Sequence, residues 1–379
     1  MPTVSTDMTV EHVLDEAIAD GKVPGAIAAV TVPGRAPLIY VGGDDGMGTP
    51  LRRDTIMRIA SISKPIVAAA ALSMLDSGEL TLRDPIVRWL PELADRPVLR
   101  ADDGELNDTV PAGREVTVED VLTFRCGDGM LPRFPMDAPI QLAYADARLG
   151  SDGPPGRYAP PPPEEWLRRL AALPLIAQPG ARWLYQTSAD LLGVLLARVA
   201  GSPLPEVLID RVFAPAGLVD KAFHVPTDKL ARFVPQLSLT EGGFEVFDPV
   251  HGMWAAPPDF PSGSSGLVST IDDLMVFTDA LRDGRLISAE SLAAMTSDHL
   301  SPEQRDDAEV FLNGAGWGYG LCVEPDGRYG WDGGLGTGWR TDPRTGVTDL
   351  LLTQVLWNGP EGPAVLEKFR DAVRPDEPA

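Results

Sequence analysis

Strand-like and helical segments follow one another in an order that restricts the fold of this chain. Residues 26–32 and 37–41 are apolar runs on either side of a Pro-Gly turn, which is typical of a β-hairpin. The last third contains further short runs, separated by turn sequences at 325–327 and 343–346. Helical patterns dominate between the two ends. Because short turns favour antiparallel pairing, we predict an α+β fold in which both ends of the chain build one antiparallel sheet.

Helices are predicted at both ends of the chain and through its middle. An amphipathic pattern begins near Val10 and a last helix is predicted at about 363–373, so terminal helices would flank the sheet. A chain of 379 residues exceeds the roughly 250–300 residues that one hydrophobic core usually serves. We therefore predict a sheet domain formed by residues 1–85 and 220–379, with an inserted helical lobe formed by residues 86–219.

The strong negative charge of the chain restricts its partners. A formal net charge of −23 repels nucleic-acid phosphates and anionic lipids, so we expect neither nucleic acid nor membrane as a partner. No apolar run reaches the roughly 20 residues that a membrane span needs. The first residues have neither the basic nor the apolar region of a secretory signal. We therefore expect a cytoplasmic protein with a small-molecule partner, and the oligomeric state stays open.

Metal-binding and nucleotide-binding patterns are absent from the sequence. No histidine has a partner at zinc-ligand spacing; the four histidines are His12, His224, His251 and His299. The chain has no G-x-S-x-G turn, no P-loop and no dinucleotide-binding glycine pattern. We therefore expect no metal and no organic cofactor. His251 lies close to Trp254 in the sequence and is kept as a candidate pocket residue.

Ser61 and Lys64 have the spacing that lets a nucleophile meet a base. Residues three apart share a helix face, and the apolar run over 62–77 predicts a buried helix with Lys64 at its head. A serine hydroxyl is a weak nucleophile that needs a neighbouring base, and a lysine serves as one only where burial or another cation lowers its pKa. Since S-x-x-K also arises by chance, the spacing alone leaves catalytic and structural roles equally open.

The region around this pair resembles the nucleophile region of the serine β-lactamase-related family. The match begins at residues 54–65 with DTIMRIASISKP and continues in order through SGELTLRDPIVRWLPEL, VTVEDVLTFRCG, PGARWLYQTSADLLGVLLARVAG, SSGLVSTIDDLMVF and GWDGGLGTGWRTDPRTG. It covers about residues 20–357. The family includes class C β-lactamases, D-Ala-D-Ala carboxypeptidases and family VIII carboxylesterases. The resemblance implies a β-lactamase/transpeptidase-like fold and a serine hydrolase that forms an acyl-enzyme on Ser61 with the help of Lys64.

A second family motif, Y-x-N, falls on Tyr185-Gln186-Thr187. The resemblance implies that the Tyr185 hydroxyl carries the proton of Ser61 to the leaving group. A phenol needs nearby positive charge to act as a base near neutral pH, and Lys64 would supply it. Thr187 departs from the asparagine of the motif, which weakens the case for amide or β-lactam substrates. The alternative on residue type alone is a packing aromatic at Tyr185, followed by Thr187 as the N-cap of the next helix.

The third family motif, K/H-x-G, reads Trp331-Asp332-Gly333 in this chain. The cation that meets a substrate carboxylate in penicillin-processing relatives is replaced by tryptophan, as in some family VIII esterases. This replacement favours neutral ester substrates. The resemblance also places the N–H groups of Gly334 and Ser61 in the oxyanion hole. Alternatively, the two glycines form a turn or a bulge.

The remaining candidate positions are less specific. Asp332 is either solvated at the edge of the sheet or bound to Arg340 or Arg125. Residues of about 131–165, rich in Pro and Gly, are predicted to be a long irregular loop, which forms either an apolar lid over the acyl group or a passive insertion. The candidate lid residues are Phe134, Met136, Tyr144 and Tyr158. The candidate residues of the substrate pocket are Thr187, Cys126, Phe134, Tyr158 and His251.

These features together predict a two-step acyl transfer without a cofactor. A carboxylesterase is the preferred function. An amide or peptide hydrolase or an acyltransferase of the same fold is the main alternative. A β-lactamase or D,D-peptidase proper, and a non-catalytic binding protein, are further alternatives. The sequence does not indicate the acyl or alcohol group of the substrate.

Overall fold

One antiparallel sheet joins the two ends of the chain. The structure is a computed structural model, which describes residues 6–132, 135–150, 159–357 and 362–373. The strands in these ranges, in chain order, are β1 (Gly25–Thr31), β2 (Leu38–Gly43), β3 (Met57–Arg58), β4 (Val98–Leu99), β5 (Thr109–Val110), β6 (Gln236–Thr240), β7 (Gly243–Asp248), β8 (Val268–Ser269), β9 (Gly316–Trp317), β10 (Cys322–Val323), β11 (Tyr329–Gly330), β12 (Asp332–Gly333), β13 (Thr337–Thr341) and β14 (Thr348–Leu352).

Eight of these strands form the main sheet, in the order β2-β1-β14-β13-β11-β10-β9, with β12 also paired to β13. The neighbouring strands run antiparallel. At the centre, Leu352 of β14 lies opposite Ile27 of β1 on one side and Thr337 of β13 on the other. The prediction of an α+β fold with an antiparallel sheet built from both ends of the chain is confirmed.

Helices lie at both ends of the chain and between the strands. In chain order, the α-helices of the described ranges are α1 (Thr6–Ala19), α2 (Ser63–Asp76), α3 (Val118–Leu122), α4 (Pro139–Asp146), α5 (Pro163–Ala171), α6 (Thr187–Ala200), α7 (Leu204–Leu208), α8 (Ala214–Ala216), α9 (Ile271–Arg282), α10 (Ala289–Met295), α11 (Pro302–Asp307), α12 (Glu309–Leu312) and α13 (Ala364–Val373). The segment between β3 and β6 holds α2 to α8 and the short β4–β5 pair, so a mainly helical insertion interrupts the sheet. The limits of the two predicted domains stay predictions.

Alternate residues of β1 pack on opposite faces of the sheet. Ala26, Ala28 and Val30 belong to a buried cluster that includes side chains of α1 and α13, the helices at the two ends. Ile27 and Ala29 belong to the main core, which includes side chains of α2 and α9. Successive side chains of a strand point to opposite faces, so an uninterrupted apolar strand is covered on both sides. The terminal helices therefore flank one face of the sheet, as predicted.

Helix α2 runs through the main core and carries Lys64 in its first turn. Its residues from Ser63 to Leu72 are all buried, and four of them are the consecutive alanines 68–71, the residue type with the highest helix propensity. The helix stops before Gly78, whose φ of +77° is a conformation that glycine adopts without a side-chain clash. The predicted helix over 62–77 and its glycine stop are confirmed.

The prediction of an irregular loop over about 131–165 is wrong in part. Within it, α4 spans Pro139–Asp146, and α5 begins near its end at Pro163. Pro139 occupies the first turn of α4, where its missing N–H costs no helical hydrogen bond, and Ile140 and Tyr144 are buried. A helix this short is stabilised by tertiary packing rather than by its own propensity. The proline-rich composition is therefore the reason that the sequence pattern did not predict α4.

The described helices are individually too short or too polar for a membrane span. No single helix in the described ranges combines the length and the apolar composition that crossing a bilayer needs. The pair Thr187–Ala200 and Leu204–Ala216 meets both criteria only jointly, with a bend of 84° between its members. The predicted cytoplasmic location is a separate matter and stays a prediction.

Asp332 connects the sheet to the C-terminal helix α13. Its carboxylate accepts hydrogen bonds from Arg340 of β13 at 2.9 Å and from Arg370 of α13 at 3.0 Å. These three side chains are at most 12% exposed. Burial raises the pKa of Asp332, but the two guanidinium groups outweigh burial and hold the pKa below its usual range. Of the two partners that the sequence left open, Arg340 is found, whereas Arg125 donates to Thr123.

Replacing Asp332 by asparagine is expected to lower the free energy of unfolding by about 3–5 kcal/mol at about pH 7, because two buried guanidinium groups lose their shared carboxylate. The folded-state pKa of Asp332 is lowered, so its contribution is complete above the usual value of 3.8 and is lost as the pH falls through the folded-state pKa. Urea unfolding at about pH 7 and about pH 3 measures both effects.

The control for this prediction is Asp326→Asn. Asp326 is 45% exposed and pairs with Arg328 at 2.8 Å, so its loss should cost at most about 1 kcal/mol. Similar losses of unfolding free energy in Asp332→Asn and Asp326→Asn would contradict a special role of Asp332 in holding α13.

Candidate active site

The chain between β3 and α2 is fixed by a buried arginine. Arg58 of β3 forms a buried ion pair with Asp248, and its guanidinium carbon lies 4.2 Å from the centre of the Phe233 ring. β3 pairs with β8, and the residues after it form a 3₁₀ turn. Ala60 in this turn has a φ of +45°, which is strained for a residue with a side chain. Ser61 therefore lies on a strained turn whose preceding strand is held by the core.

Ser61 and Lys64 meet at the head of α2. Ser61 Oγ and Lys64 Nζ are 2.6 Å apart, as expected for residues one helical turn apart. Ser61 is 8% exposed and Lys64 is 1% exposed, so the amine is enclosed by protein and does not reach bulk solvent. The amine also donates to the main-chain oxygen of Ser264 at 2.9 Å. The hydroxyl and the amine are thus held in hydrogen-bond contact in a desolvated position.

The phenol of Tyr185 joins this pair from the segment before α6. Its oxygen lies 3.1 Å from Ser61 Oγ, and Lys64 Nζ lies 4.6 Å from the centre of its ring. The indole N–H of Trp331 donates to the phenol oxygen at 2.9 Å. The structure therefore brings together Ser61, Lys64 and Tyr185, the three residues predicted to be catalytic, and adds Trp331 as a hydrogen-bond donor to the phenol.

A strained turn at Gln186 presents Tyr185. Gln186 has φ +80° and ψ −68°, and the Thr187 N–H donates to the Tyr185 carbonyl at 3.2 Å, which is the geometry of a γ-turn with positive φ. The Met130 N–H donates to the same carbonyl at 2.9 Å. Such a turn persists only where its surroundings hold it. Ser61 and Tyr185 therefore each adjoin a residue of positive φ other than glycine.

The interpretation of Thr187 as a helix N-cap is wrong. Gln186 occupies the cap position of α6, and its side-chain amide donates to Ser264 Oγ at 2.8 Å instead of capping the helix. Thr187 is the first residue of α6 and is buried next to the Tyr185 turn. Its predicted contact with a substrate stays a prediction.

An aromatic cluster surrounds Tyr185 and Trp331. The ring centres of Tyr185 and Phe311 are 5.0 Å apart, and those of Trp331 and Trp317 are 4.9 Å apart. The cluster also contains Phe124 and Trp183. Where the family motif has a basic residue, this chain has an indole backed by other rings. Phe311 of α12 and Trp317 of β9 could not be predicted, because both lie outside the recognised motifs and meet Tyr185 and Trp331 only through tertiary packing.

Strand β12 lies directly against the turn that carries Ser61. A Cβ atom at Gly333 would come within 2.4 Å of the Ile59 carbonyl oxygen and 3.1 Å of Ala60 Cβ, so glycine is required for this close approach. Gly333 also pairs with Thr337 in regular register. A Cβ atom at Gly334 would meet no described atom within 4 Å. Gly334 therefore borders open space next to the Ser61 turn.

A buried carboxylate that was not predicted lies behind Lys64. Asp190 of α6 accepts hydrogen bonds from Ser262 Oγ at 2.7 Å and from the Ser264 N–H at 3.0 Å. Ser264 is the residue whose carbonyl binds Lys64. The sequence feature that could have indicated Asp190 is its position as the one acidic residue within the apolar run SADLLGVLL. A carboxylate in a buried helix needs polar partners, which points to a polar cluster around it.

The pocket candidate Cys126 and the lid candidate Tyr144 lie inside the helical insertion. Cys126 is 0% exposed, and its Sγ lies 3.1 Å from Ser188 Oγ. Burial raises the pKa of the Cys126 thiol to about 12. Cys126 lines a cavity of about 520 Å³ together with Asp128, and the hydroxyl of Tyr144 donates to that same carboxylate. These two side chains therefore serve the packing of the insertion, and a role in binding substrate stays a prediction.

The other pocket candidates are less constrained. Met136 is 42% exposed, and its part in a lid stays a prediction. His251 lies shortly after β7, whose Asp248 binds Arg58, and its place in the pocket stays a prediction. Phe134 and Tyr158 lie outside the described residues.

Known proteins are similar to this chain over most of its length. Protein Rv1367c of Mycobacterium tuberculosis is 36% identical over 343 aligned residues, which cover 84% of this chain and 81% of that protein. Esterase EstB of Burkholderia gladioli is 33% identical over 405 aligned positions, which cover 96% of this chain and 94% of that protein. The solved structure of EstCE1, described as a hydrolase with promiscuous acyltransferase activity, superposes with a TM-score of 0.82 at 26% identity. It covers 97% of this chain and 98% of that chain.

A family model also matches almost the whole chain. The model described as Beta-lactamase matches residues 10–369. Together with the likeness to Esterase EstB and EstCE1, this match confirms the family resemblance, its esterase branch and the β-lactamase/transpeptidase-like fold that the sequence motifs implied. The protein belongs to the β-lactamase family.

Proposed function

We propose that the protein is a carboxylesterase that hydrolyses small-molecule esters through an acyl-enzyme on Ser61. Its family and its likeness to Esterase EstB and EstCE1 support a serine hydrolase. The observation that carries the proposal is the contact of three groups: Ser61 Oγ lies 2.6 Å from Lys64 Nζ and 3.1 Å from the Tyr185 oxygen. A nucleophile, a cation and an acid–base group within hydrogen-bond reach are what this chemistry requires.

In the first half-reaction, Ser61 Oγ forms a bond to the carbonyl carbon of the ester. Its proton passes to the Tyr185 oxygen, because a cationic Lys64 next to the phenol favours the phenolate form. The N–H groups of Ser61 and Gly334 stabilise the negative charge that develops on the carbonyl oxygen. The proton then passes from Tyr185 to the ester oxygen, the C–O bond breaks, and the alcohol leaves.

In the second half-reaction, water attacks the acyl carbon. The Tyr185 phenolate takes a proton from the water, and the same proton returns to Ser61 Oγ as the carboxylic acid leaves. Both steps use one acid–base group in opposite directions, so Ser61 regains its hydroxyl at the end of the cycle. The open space next to Gly334 supports its place at the substrate carbonyl.

The residue at the third motif supports an uncharged ester as substrate. An indole N–H carries no charge to neutralise a carboxylate, and that of Trp331 is bound to the Tyr185 oxygen at 2.9 Å. The partly exposed ring of Phe311, which packs against Tyr185, offers apolar surface to an acyl or alcohol group, whereas the ring of Trp317 is buried behind Trp331. Thr187 replaces the asparagine of the second motif. These features disfavour the amide hydrolase, β-lactamase and D,D-peptidase alternatives.

Acyl transfer to an alcohol is a second candidate function. EstCE1, which is similar to this chain, is described as a hydrolase with promiscuous acyltransferase activity. An acyl-enzyme on Ser61 would react with an alcohol by the same proton transfers that activate water. Analysis of the products formed from an activated ester, with and without an added alcohol, distinguishes hydrolysis from transfer.

Ser61→Ala is expected to abolish covalent labelling by a fluorophosphonate probe, because the probe bonds to an activated serine oxygen. Intact-mass spectrometry should show one added probe on the wild-type chain and none on the variant. The control is Ser73→Ala, which removes a serine farther along α2 and should be labelled like the wild type. Equal labelling of Ser61→Ala and the wild type would assign the nucleophile to another residue.

Lys64→Ala is expected to lower kcat/KM for a p-nitrophenyl ester by about 10²–10⁴-fold, the usual contribution of acid–base catalysis, because Tyr185 loses the cation that favours its phenolate form. Thermal unfolding should show that the fold persists. The control is Lys229→Ala, which removes an amine that is 31% exposed, and its kcat/KM should match the wild type. Wild-type kcat/KM in Lys64→Ala would exclude the amine from the mechanism.

Trp331→Phe is expected to lower kcat by about 2- to 13-fold, because the phenol of Tyr185 loses a hydrogen bond of about 0.5–1.5 kcal/mol. The matched control is Trp317→Phe, which makes the same truncation in the same aromatic cluster. The indole nitrogen of Trp317 has no hydrogen-bond partner among the described residues. Steady-state kinetics of both variants measures the difference, and equal losses would attribute the effect to packing.

A further inference from the structure

Asp190 is a buried carboxylate that the proposed reaction does not use. It lies on α6 and is 1% exposed. Ser262 Oγ donates to it at 2.7 Å, and Ser264 donates from its N–H and from its Oγ, each at 3.0 Å. One short segment of the chain therefore supplies three hydrogen bonds to this carboxylate.

The same segment holds the amine of Lys64. The carbonyl oxygen of Ser264 accepts from Lys64 Nζ at 2.9 Å. Gln186, which follows Tyr185, donates to Ser264 Oγ at 2.8 Å. Ser264 thus connects Asp190 both to the amine of Lys64 and to the strained turn that presents the phenol.

The charge of Asp190 is costly to the fold. Burial raises the pKa of Asp190 to about 6, and hydrogen bonds from Ser262 and Ser264 and the charge of Lys64 offset burial only in part. The charged side chain that lowers the pKa of Asp190 is Lys64 of α2, which in turn lies against the ring of Tyr185. The folded-state pKa lies above the usual 3.8, so ionisation reduces stability as the pH rises from 3.8 through about 6. A buried charge kept at such a cost is typical of functional sites.

We propose that Asp190 is a positioning residue of the esterase site, which holds the Ser264 carbonyl against Lys64 and supplies the counter-charge that keeps Lys64 an ammonium ion. In the proposed reaction, on which this role rests, an ammonium ion next to Tyr185 favours the phenolate that takes the proton of Ser61. Asp190 touches neither the substrate nor the reacting atoms. It acts on them through Lys64.

The test is the pH dependence of fluorophosphonate labelling at Ser61, which requires no knowledge of the natural ester. Asp190→Asn keeps the shape of the side chain and removes its charge, so labelling at about pH 8 should slow by about 10- to 100-fold, part of what a positioned acid–base pair supplies. At about pH 5 most wild-type Asp190 is itself protonated. The ratio of wild-type to variant rates should therefore approach one there.

A rate ratio that stays constant from about pH 5 to about pH 8 would overturn the role of Asp190, because a purely structural change acts equally at both. A variant that is labelled as fast as the wild type at the higher pH would overturn it too. Thermal unfolding at the higher pH should show that Asp190→Asn keeps a cooperative fold, so that its labelling rate reports the site.

Ser262→Ala provides an independent test. It removes one donor to Asp190 and leaves the contact between Ser264 and Lys64 in place. Losing a donor to a carboxylate raises its pKa. The labelling rate of Ser61 should therefore begin to fall, as the pH is lowered, at a higher pH than in the wild type. A labelling rate that falls at the same pH in Ser262→Ala and the wild type contradicts the role of Asp190. If Asp190→Asn does not fold, this result alone decides the question.

The two proposals fail in different ways. A wild-type chain in which Ser61 is not labelled at any pH contradicts the proposed function, and the role of Asp190 falls with it. Labelling of Ser61 with a pH-independent ratio between wild type and Asp190→Asn contradicts the role of Asp190 alone and leaves the esterase proposal intact.

Discussion

The enclosed amine of Lys64 is the constraint on which the rest of the site depends. Burying an amine is costly unless polar groups surround it. Here the surroundings are the Ser61 hydroxyl, the Ser264 carbonyl and the ring of Tyr185. These groups come from the turn before α2, from the segment before β8 and from the turn before α6. The contacts of one side chain therefore fix the relative positions of three distant segments.

The sheet and the helical insertion meet at this amine. Tyr185 comes from the insertion, whereas Trp331 comes from the C-terminal third and binds its phenol. The hydroxyl of Thr337, in β13, donates to the Ile59 carbonyl at 3.0 Å, so a central strand is tied to the turn before Ser61. The nucleophile is thus positioned by the sheet and its proton acceptor by the insertion, and their distance is set by the packing between the two.

Features that depend on local spacing could be predicted from the sequence, and features that depend on long-range packing could not. The contact of Ser61 with Lys64 follows from the helical period, and the apolar run predicts α2. Tyr185 could be placed only through the family resemblance, because its local sequence contains nothing that relates it to Ser61. Asp190 and Phe311 were missed since their partners lie far away along the chain. Helix α4 could not be predicted for the same reason, because tertiary contacts stabilise it within a proline-rich stretch.

The pairing of Ile27 with Leu352 has a consequence for synthesis on the ribosome. β1 is made early and pairs with β2, but its other edge stays unpaired until β14 emerges after the whole helical insertion. An unpaired strand edge is a template for wrong association, while the more local contacts of the insertion allow it to form first. A nascent chain therefore carries Ser61 and Lys64 long before their sheet exists, and it acquires a complete site only after β14 has been made.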